Sequence, residues 1–365
     1  MNTDGKSTPK AEKLRPPPPA GDSGEDGVHL KTLTGYIKGV NLGGWLSQCD
    51  YTEAHCKRFI TEKDIRTIAA WGFDHIRLPV DIDVIEGSPD PKRGKGHAHI
   101  SNAFEWCGKY GLNMVLDLHK AAGYAFYGAD NTLFDNVAMQ DKFIQTWEDL
   151  ASRYAEAGEG VAFELLNEIV EEDSSRWNAL IKRTVPAIRK IAPKTKIILG
   201  GINWSSVHTL SLLEKPEDDG IVYTFHFYEP FLFTHQKARW IDAMPKNITT
   251  KYPATMREYQ ELSKSLGLFG SGLFGDVTEM GAEYMKPLMA EAVDAAARAD
   301  AALYCGEYGV ISHAPAPDTA RWYADTHKAF TDLGIGRALW TYKGKSFGLA
   351  DRHLNACREA ILRHI

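Results

Sequence analysis

Short apolar, β-branched runs alternate with amphipathic stretches from about Thr34 onward. Runs of strand length lie at residues 37–42, 75–80, 113–119, 161–167, 196–201, 221–228, 303–308 and 337–342. Between most of them apolar positions recur at helical spacing, over residues 62–71, 101–110, 140–154, 174–191, 318–333 and 354–362. Thr61, with Asp64 three positions on, is a capping arrangement for the first helix. The run at 221–228 is apolar or aromatic at nearly every position, as a strand covered on both faces should be. Strand–helix alternation implies parallel pairing through right-handed crossovers. The prediction is an α/β fold, a closed (β/α)8 TIM barrel spanning 34–365.

Two intervals depart from this rhythm. Residues 229–302 are far longer than the ~30 residues that one eighth of a ~250-residue barrel needs. They carry Phe231, Phe233, Trp240, Tyr252, Phe269 and Phe274, so a subdomain inserted after strand 6 is expected, walling one side of the barrel mouth. Residues 1–33 form an arm whose first ~27 positions are rich in Pro, Gly, Lys and Asp, a composition that cannot bury a core and predicts disorder or a linker.

Composition narrows the function classes. With 42 basic against 48 acidic residues and a net charge of −6, no basic block marks a nucleic-acid partner. No apolar run approaches the ~18 residues of a membrane span, and the N-terminus lacks the ~7–15-residue apolar stretch of a signal peptide. Secreted, cell-surface and cytoplasmic locations all stay open, and a monomer is expected. The five cysteines form no CxxC pair and read as reduced core thiols. Nine Trp residues make a sugar-binding cleft worth seeking.

In a barrel the C-terminal strand ends carry the chemistry. Here they read Arg77-Leu78-Pro79, Asp117-Leu118-His119, Asn167-Glu168, His226-Phe227-Tyr228, Gly306-Glu307-Tyr308 and Trp340-Thr341-Tyr342. His226 and Tyr228 share a face. Asn167 and Glu168 are neighbours, so both face the mouth only if the strand ends or bulges there. Two glutamates on different strand ends suit glycoside hydrolysis, which needs one carboxyl protonated and the other ionised. Arg77 and Tyr228 can hold the ionised partner, Asn167 can bond a sugar hydroxyl, and Trp340 offers a flat apolar face. Trp45 and Trp204 follow strand candidates and are expected in the cleft, whereas Trp71, Trp147 and Trp177 lie on helical patterns and are expected in the core.

The ordered segments Gly39-Val40-Asn41-Leu42-Gly43-Gly44-Trp45, Arg77-Leu78-Pro79, Leu116-Asp117-Leu118-His119, Leu166-Asn167-Glu168, His226-Phe227-Tyr228, Gly306-Glu307-Tyr308-Gly309 and Trp340 resemble glycoside hydrolase family 5 from about Gly35 to the C-terminus. Phe163-Glu164-Leu165-Leu166-Asn167, Asn203-Trp204 and Phe233-Thr234-His235-Gln236-Lys237-Ala238 are similar to its compact bacterial endo-β-1,4-glucanases of the endoglucanase C type. The resemblance implies a retaining hydrolase with Glu168 as acid/base and Glu307 as nucleophile. It further implies that Asn167 bonds the substrate 2-hydroxyl, Arg77 and Tyr228 position the nucleophile, His119 and His226 line the cleavage subsite, and Trp340 floors it. The implied substrate is a β-1,4- or mixed-linkage β-glucan, with no metal or organic cofactor. β-1,3-Glucanase or β-mannanase activity on the same residues, transglycosylation, and a non-catalytic polysaccharide-binding barrel are the rival readings.

Three motifs point elsewhere and are set aside. The GxGxxG at 270–275 has no strand before it and no acidic partner at nucleotide-binding spacing. His97 and His99 fall in a Gly/Lys-rich stretch, where a solvated loop is expected and two ligands are too few for a metal. Asp81 and Asp83 read as loop polarity or sugar hydrogen bonding.

Overall fold

The computed structural model describes residues 30–86, 96–128, 131–266 and 280–365. Eight parallel strands close into a barrel in chain order: β1 Lys38–Asn41, β2 His75–Asp81, β3 Asn113–Lys120, β4 Val161–Glu164, β5 Lys196–Gly200, β6 Ile221–Phe227, β7 Ala302–Tyr308 and β8 Gly336–Leu339. Each matches one of the apolar runs. β1, β4 and β8 are cut to four residues because the chain leaves the ladder where the polar strand-end residues begin.

Helices Glu62–Ala70, Gly96–Tyr110, Val137–Tyr154, Ser175–Ile191 and Ala316–Leu333 cover the barrel. The first opens as expected, the Thr61 N–H donating to the Asp64 carboxylate at 2.9 Å. Glu53–Phe59 is an additional helix, capped by the Thr52 hydroxyl, which accepts from the His55 N–H at 3.2 Å. The C-terminal pattern at 354–362 is two pieces, a 3-10 turn Arg352–Leu354 and a helix Arg358–Leu362.

The β5–β6 crossover carries short turns rather than a full helix. Its gap is covered by Ala282–Arg298, which packs on Val207–Leu212, on β7 and on Ala316–Leu333. This helix closes the long interval after β6 and serves as a barrel crossover, whereas Phe231–Thr234 and Met256–Leu266 lie in the earlier part.

Strand alternation divides the core in two. Met114, Leu116 and Leu118 of β3 pack outward with Trp147 and Trp177 of the helices, all buried. The two indoles stay satisfied: Trp147 donates to the Leu165 carbonyl at 3.0 Å and Trp177 to that of Gly200 at 2.9 Å. Each such buried side chain contributes about 1.5–3 kcal/mol or more. Inside the barrel, Leu33, Tyr36, Val115, Ala162, Ile198, Val222, Tyr304 and Ala338 form an apolar floor. Residues 1–29 of the expected arm lie outside the described residues. Its last positions do not behave as an arm, since Lys31 pairs with Ala302 and Leu33 is buried in the floor. Among the described residues no helix is long and apolar enough to cross a membrane.

Candidate active site

Above the apolar floor the same inward positions turn polar. Arg77 of β2 is fully buried and spends its guanidinium on four strands. Nε and Nη2 form a fork with Glu164 at 2.7 and 2.9 Å. Nη1 donates to Asn41 and to Glu307, both at 2.9 Å, and Nη2 reaches Asn167 at 2.9 Å and Asp117 at 3.0 Å. Burial opposes its charge, but the Asp117, Glu164 and Glu307 carboxylates outweigh that and hold the group well above its usual range. Removing one side of such a network would leave an uncompensated buried charge.

Glu307 enters the mouth through an irregularity in β7. Tyr304 lies in the floor and Cys305 in the outer core, so regular alternation would turn residue 307 outward. The register with β6 slips between Phe225↔Cys305 and His226↔Glu307, leaving Gly306 as the extra residue. A Cβ at Gly306 would lie 3.1 Å from Thr224 Oγ1 and 3.2 Å from His226 Nε2, so glycine fits this close approach. Glu307 then accepts on both oxygens, from Arg77 on Oε1 and from the Tyr228 hydroxyl on Oε2 at 2.9 Å.

Glu168 reaches the mouth differently. β4 ends at Glu164, and Glu168 adopts φ +34°, a left-handed conformation that lets adjacent Asn167 and Glu168 face one cavity. Its Oε1 lies 2.9 Å from His226 Nδ1. Burial, reinforced by Glu164 and opposed by Arg77, pushes its carboxyl up to about 8. Burial likewise pushes His226 and His119 down to about 4, so both imidazoles are neutral near pH 7. His119 bonds Asp117 through Nδ1 at 2.7 Å and Gln48 through Nε2 at 3.1 Å, which fits a proton on Nδ1. One oxygen of Glu168, one of Glu307 and a ring nitrogen of His226 lie within 4.8 Å of one another. This donor set could ligate a cation, yet both Glu307 oxygens are already engaged and the Arg77 charge stands beside them.

Trp340 stacks on His119, with ring centroids 5.8 Å apart and planes at 5°, and packs against Phe347 and Ile311. Gly43 allows this approach, since a Cβ there would lie 2.7 Å from the indole. The structure thus brings together Arg77, His119, Asn167, Glu168, His226, Tyr228, Glu307 and Trp340. Trp204 follows β5, where its backbone N–H donates to the Ile169 carbonyl at 3.1 Å, and the residue is 51% exposed.

Trp45 is a correction. It is fully buried, its indole N–H donating to the Cys56 carbonyl at 2.7 Å and its ring stacked on Trp106, so it is core rather than cleft. The solvated loop expected around His97 and His99 is also corrected: both lie in helix Gly96–Tyr110, and His99 is buried against Trp45 and Glu53. Asp81 accepts from the Tyr51 hydroxyl and the Gln48 N–H, and Asp83 pairs with Lys120. The glycine motif at 270–275 lies outside the described residues.

Asn41, Asp117, Glu164 and Gln48 were not anticipated as site residues. The available signal was a lone charge in an apolar strand, as in Val161-Ala162-Phe163-Glu164.

A family model described as cellulase (glycosyl hydrolase family 5) matches residues 36–346. Endoglucanase C of Acetivibrio thermocellus is 41% identical over 86% of this chain and 93% of that protein. Cellodextrinase A of Ruminococcus flavefaciens is 38% identical over 83% and 84%. A crystal structure of an endoglucanase from Thermotoga maritima superposes with a TM-score of 0.69 at 21% identity, over 90% of this chain and 97% of that one.

Proposed function

Because the chain belongs to glycosyl hydrolase family 5, we propose that it is a retaining endo-β-1,4-glucanase acting on internal bonds of cellulose-type and mixed-linkage β-glucans. The observation that carries this reading is the close approach of Glu168 and Glu307, with an oxygen of each inside the 4.8 Å cluster. Carboxyl groups ~5–5.5 Å apart suit direct attack by one of them, whereas inverting enzymes need ~6.5–9.5 Å to admit a water.

Glu307 is the nucleophile. Arg77 and Tyr228 occupy its two oxygens with donors, which aims it. Glu168 is the acid/base, since a carboxyl pushed up to about 8 still carries its proton at neutral pH. Glu307 attacks the anomeric carbon while Glu168 protonates the departing oxygen. The ionised Glu168 then takes a proton from a water that attacks the glycosyl ester, and two inversions return the original anomer. The Asn167 amide nitrogen, buried without a hydrogen-bond partner among the described residues, suits the 2-hydroxyl, and Trp340 supplies an apolar face for the pyranose. Double displacement by two carboxylates is complete without a metal or organic cofactor.

The test is reducing-end release from barley β-glucan, carboxymethylcellulose, laminarin and glucomannan, with Glu307→Gln in parallel. Release from the first two, reduced on the order of 10⁶-fold in the variant as for a lost covalent nucleophile, supports the reading. Release mainly from laminarin or glucomannan replaces the substrate, and binding without release replaces the activity. The likeness to Cellodextrinase A favours a second reading, cleavage of short cello-oligosaccharides, which would leave carboxymethylcellulose viscosity unchanged.

A further inference from the structure

A left-handed Glu168 has a cost that something must offset, since L-residues rarely adopt that backbone conformation. The turn also takes the chain off the barrel ladder between Asn167, whose N–H bonds Leu118, and Ile169, which pairs with Ile202. One side chain spans this gap. Tyr124, buried in the loop after β3, donates its hydroxyl to the Glu168 carbonyl at 2.5 Å and accepts from the Val170 N–H at 2.9 Å.

Tyr124 is itself fixed. Its backbone exchanges two hydrogen bonds with Ala121, each 3.1 Å, and its ring meets Phe134 edge-on with centroids 5.6 Å apart. The hydroxyl therefore works from a rigid mount on both sides of the left-handed residue. It bonds the Glu168 main chain, leaving the carboxyl to His226.

We infer that Tyr124 is a positioning residue, whose hydroxyl locks the Glu168 turn and so aims the Glu168 carboxyl at the leaving oxygen. The inference rests on Glu168 being the acid/base. Without the hydroxyl the Glu168 carbonyl and the Val170 N–H lose their shared partner, the turn loosens, and the carboxyl leaves its place beside His226 Nδ1. A misplacement of ~1 Å at a reacting group can cost ~10²-fold.

The experiment compares Tyr124→Phe with Glu168→Ala and the parent enzyme, measuring kcat/KM on cellotetraose and on 2,4-dinitrophenyl β-cellobioside across pH. The second substrate leaves without acid assistance, so its kcat/KM does not depend on where the acid stands. For Tyr124→Phe the expected result is a loss of about 10- to 100-fold on cellotetraose, little change on the aryl glycoside, and an alkaline limb moved to lower pH as Glu168 gains solvent. Equal losses on both substrates, or parent-like values on both, would overturn the inference provided Glu168→Ala discriminates between the substrates. If Glu168→Ala does not discriminate, the acid/base assignment itself fails. Should Tyr124→Phe not fold, Phe134→Leu loosens the same ring and is read the same way: selective loss on cellotetraose supports the inference, and equal loss refutes it.

Discussion

At the end of β4 the chain abandons strand alternation through a left-handed residue, whereas at the end of β7 it does so by inserting Gly306. Both devices deliver a glutamate to one cavity, but into different surroundings. Glu307 has a guanidinium on one oxygen and a phenol on the other. Glu168 has a neutral imidazole on one oxygen, and burial favours its protonated form. Identical side chains thus receive different partners, and a double displacement needs its two carboxyls in different roles.

After the loss expected for Glu307→Gln, the next largest effect comes from removing the protonated member. Glu168→Ala is expected to lose ~10²–10⁴-fold on β-glucan, to be relatively spared in kcat/KM on an aryl glycoside, and to recover turnover with azide. In the parent enzyme kcat/KM should fall as pH rises through about 8, where Glu168 gives up its proton, and this limb should be missing from the variant. Steady-state kinetics with both substrates between pH 5 and pH 10, with and without azide, check all four points, and a limb that survives in the variant would erase the contrast.

A smaller effect sharpens the β7 side. Gly306→Ala puts a methyl group 3.1–3.2 Å from Thr224 Oγ1 and His226 Nε2, contacts that oblige both neighbours to shift. Overpacking of this kind costs about 1–3 kcal/mol, measurable by urea unfolding, and activity should fall because His226 also bonds Glu168. Unchanged stability and activity would mean that the bulge tolerates a side chain and does not depend on glycine.

The smallest effect belongs to the rim. Trp204→Ala should weaken binding of a long glucan about 2- to 10-fold, in line with ~0.5–1.5 kcal/mol for an aromatic contact, seen in KM rather than kcat. An unchanged KM would remove Trp204 from the cleft.

Much of this was legible in the chain. Apolar runs gave all eight strands, and the polar residues closing them converge as barrel geometry demands. The turn at Asn167-Glu168 could be foreseen because adjacent strand residues cannot share a face. The bulge at Gly306 could not, since a glycine before a glutamate has no period of its own. Trp45 misled because its placement after a strand end resembles that of Trp204; it packs on Trp106 in the core, whereas Trp204, in a left-handed stretch with Asn203, is exposed. The β5–β6 crossover showed no helical pattern because it has no full helix, and Ala282–Arg298 was hidden inside an interval read as an insertion. Asn41, Asp117 and Glu164 went unassigned because their role exists only around Arg77, which gathers residues from distant strands.

The division of labour between the two glutamates is tested most directly by trapping the covalent intermediate. The enzyme would be incubated with 2,4-dinitrophenyl 2-deoxy-2-fluoro-β-cellobioside, digested, and sequenced by mass spectrometry. The account predicts one fluoroglycosyl group, carried by Glu307. A group on Glu168, or an enzyme that hydrolyses β-glucan to the α-anomer and never acquires a label, would contradict it.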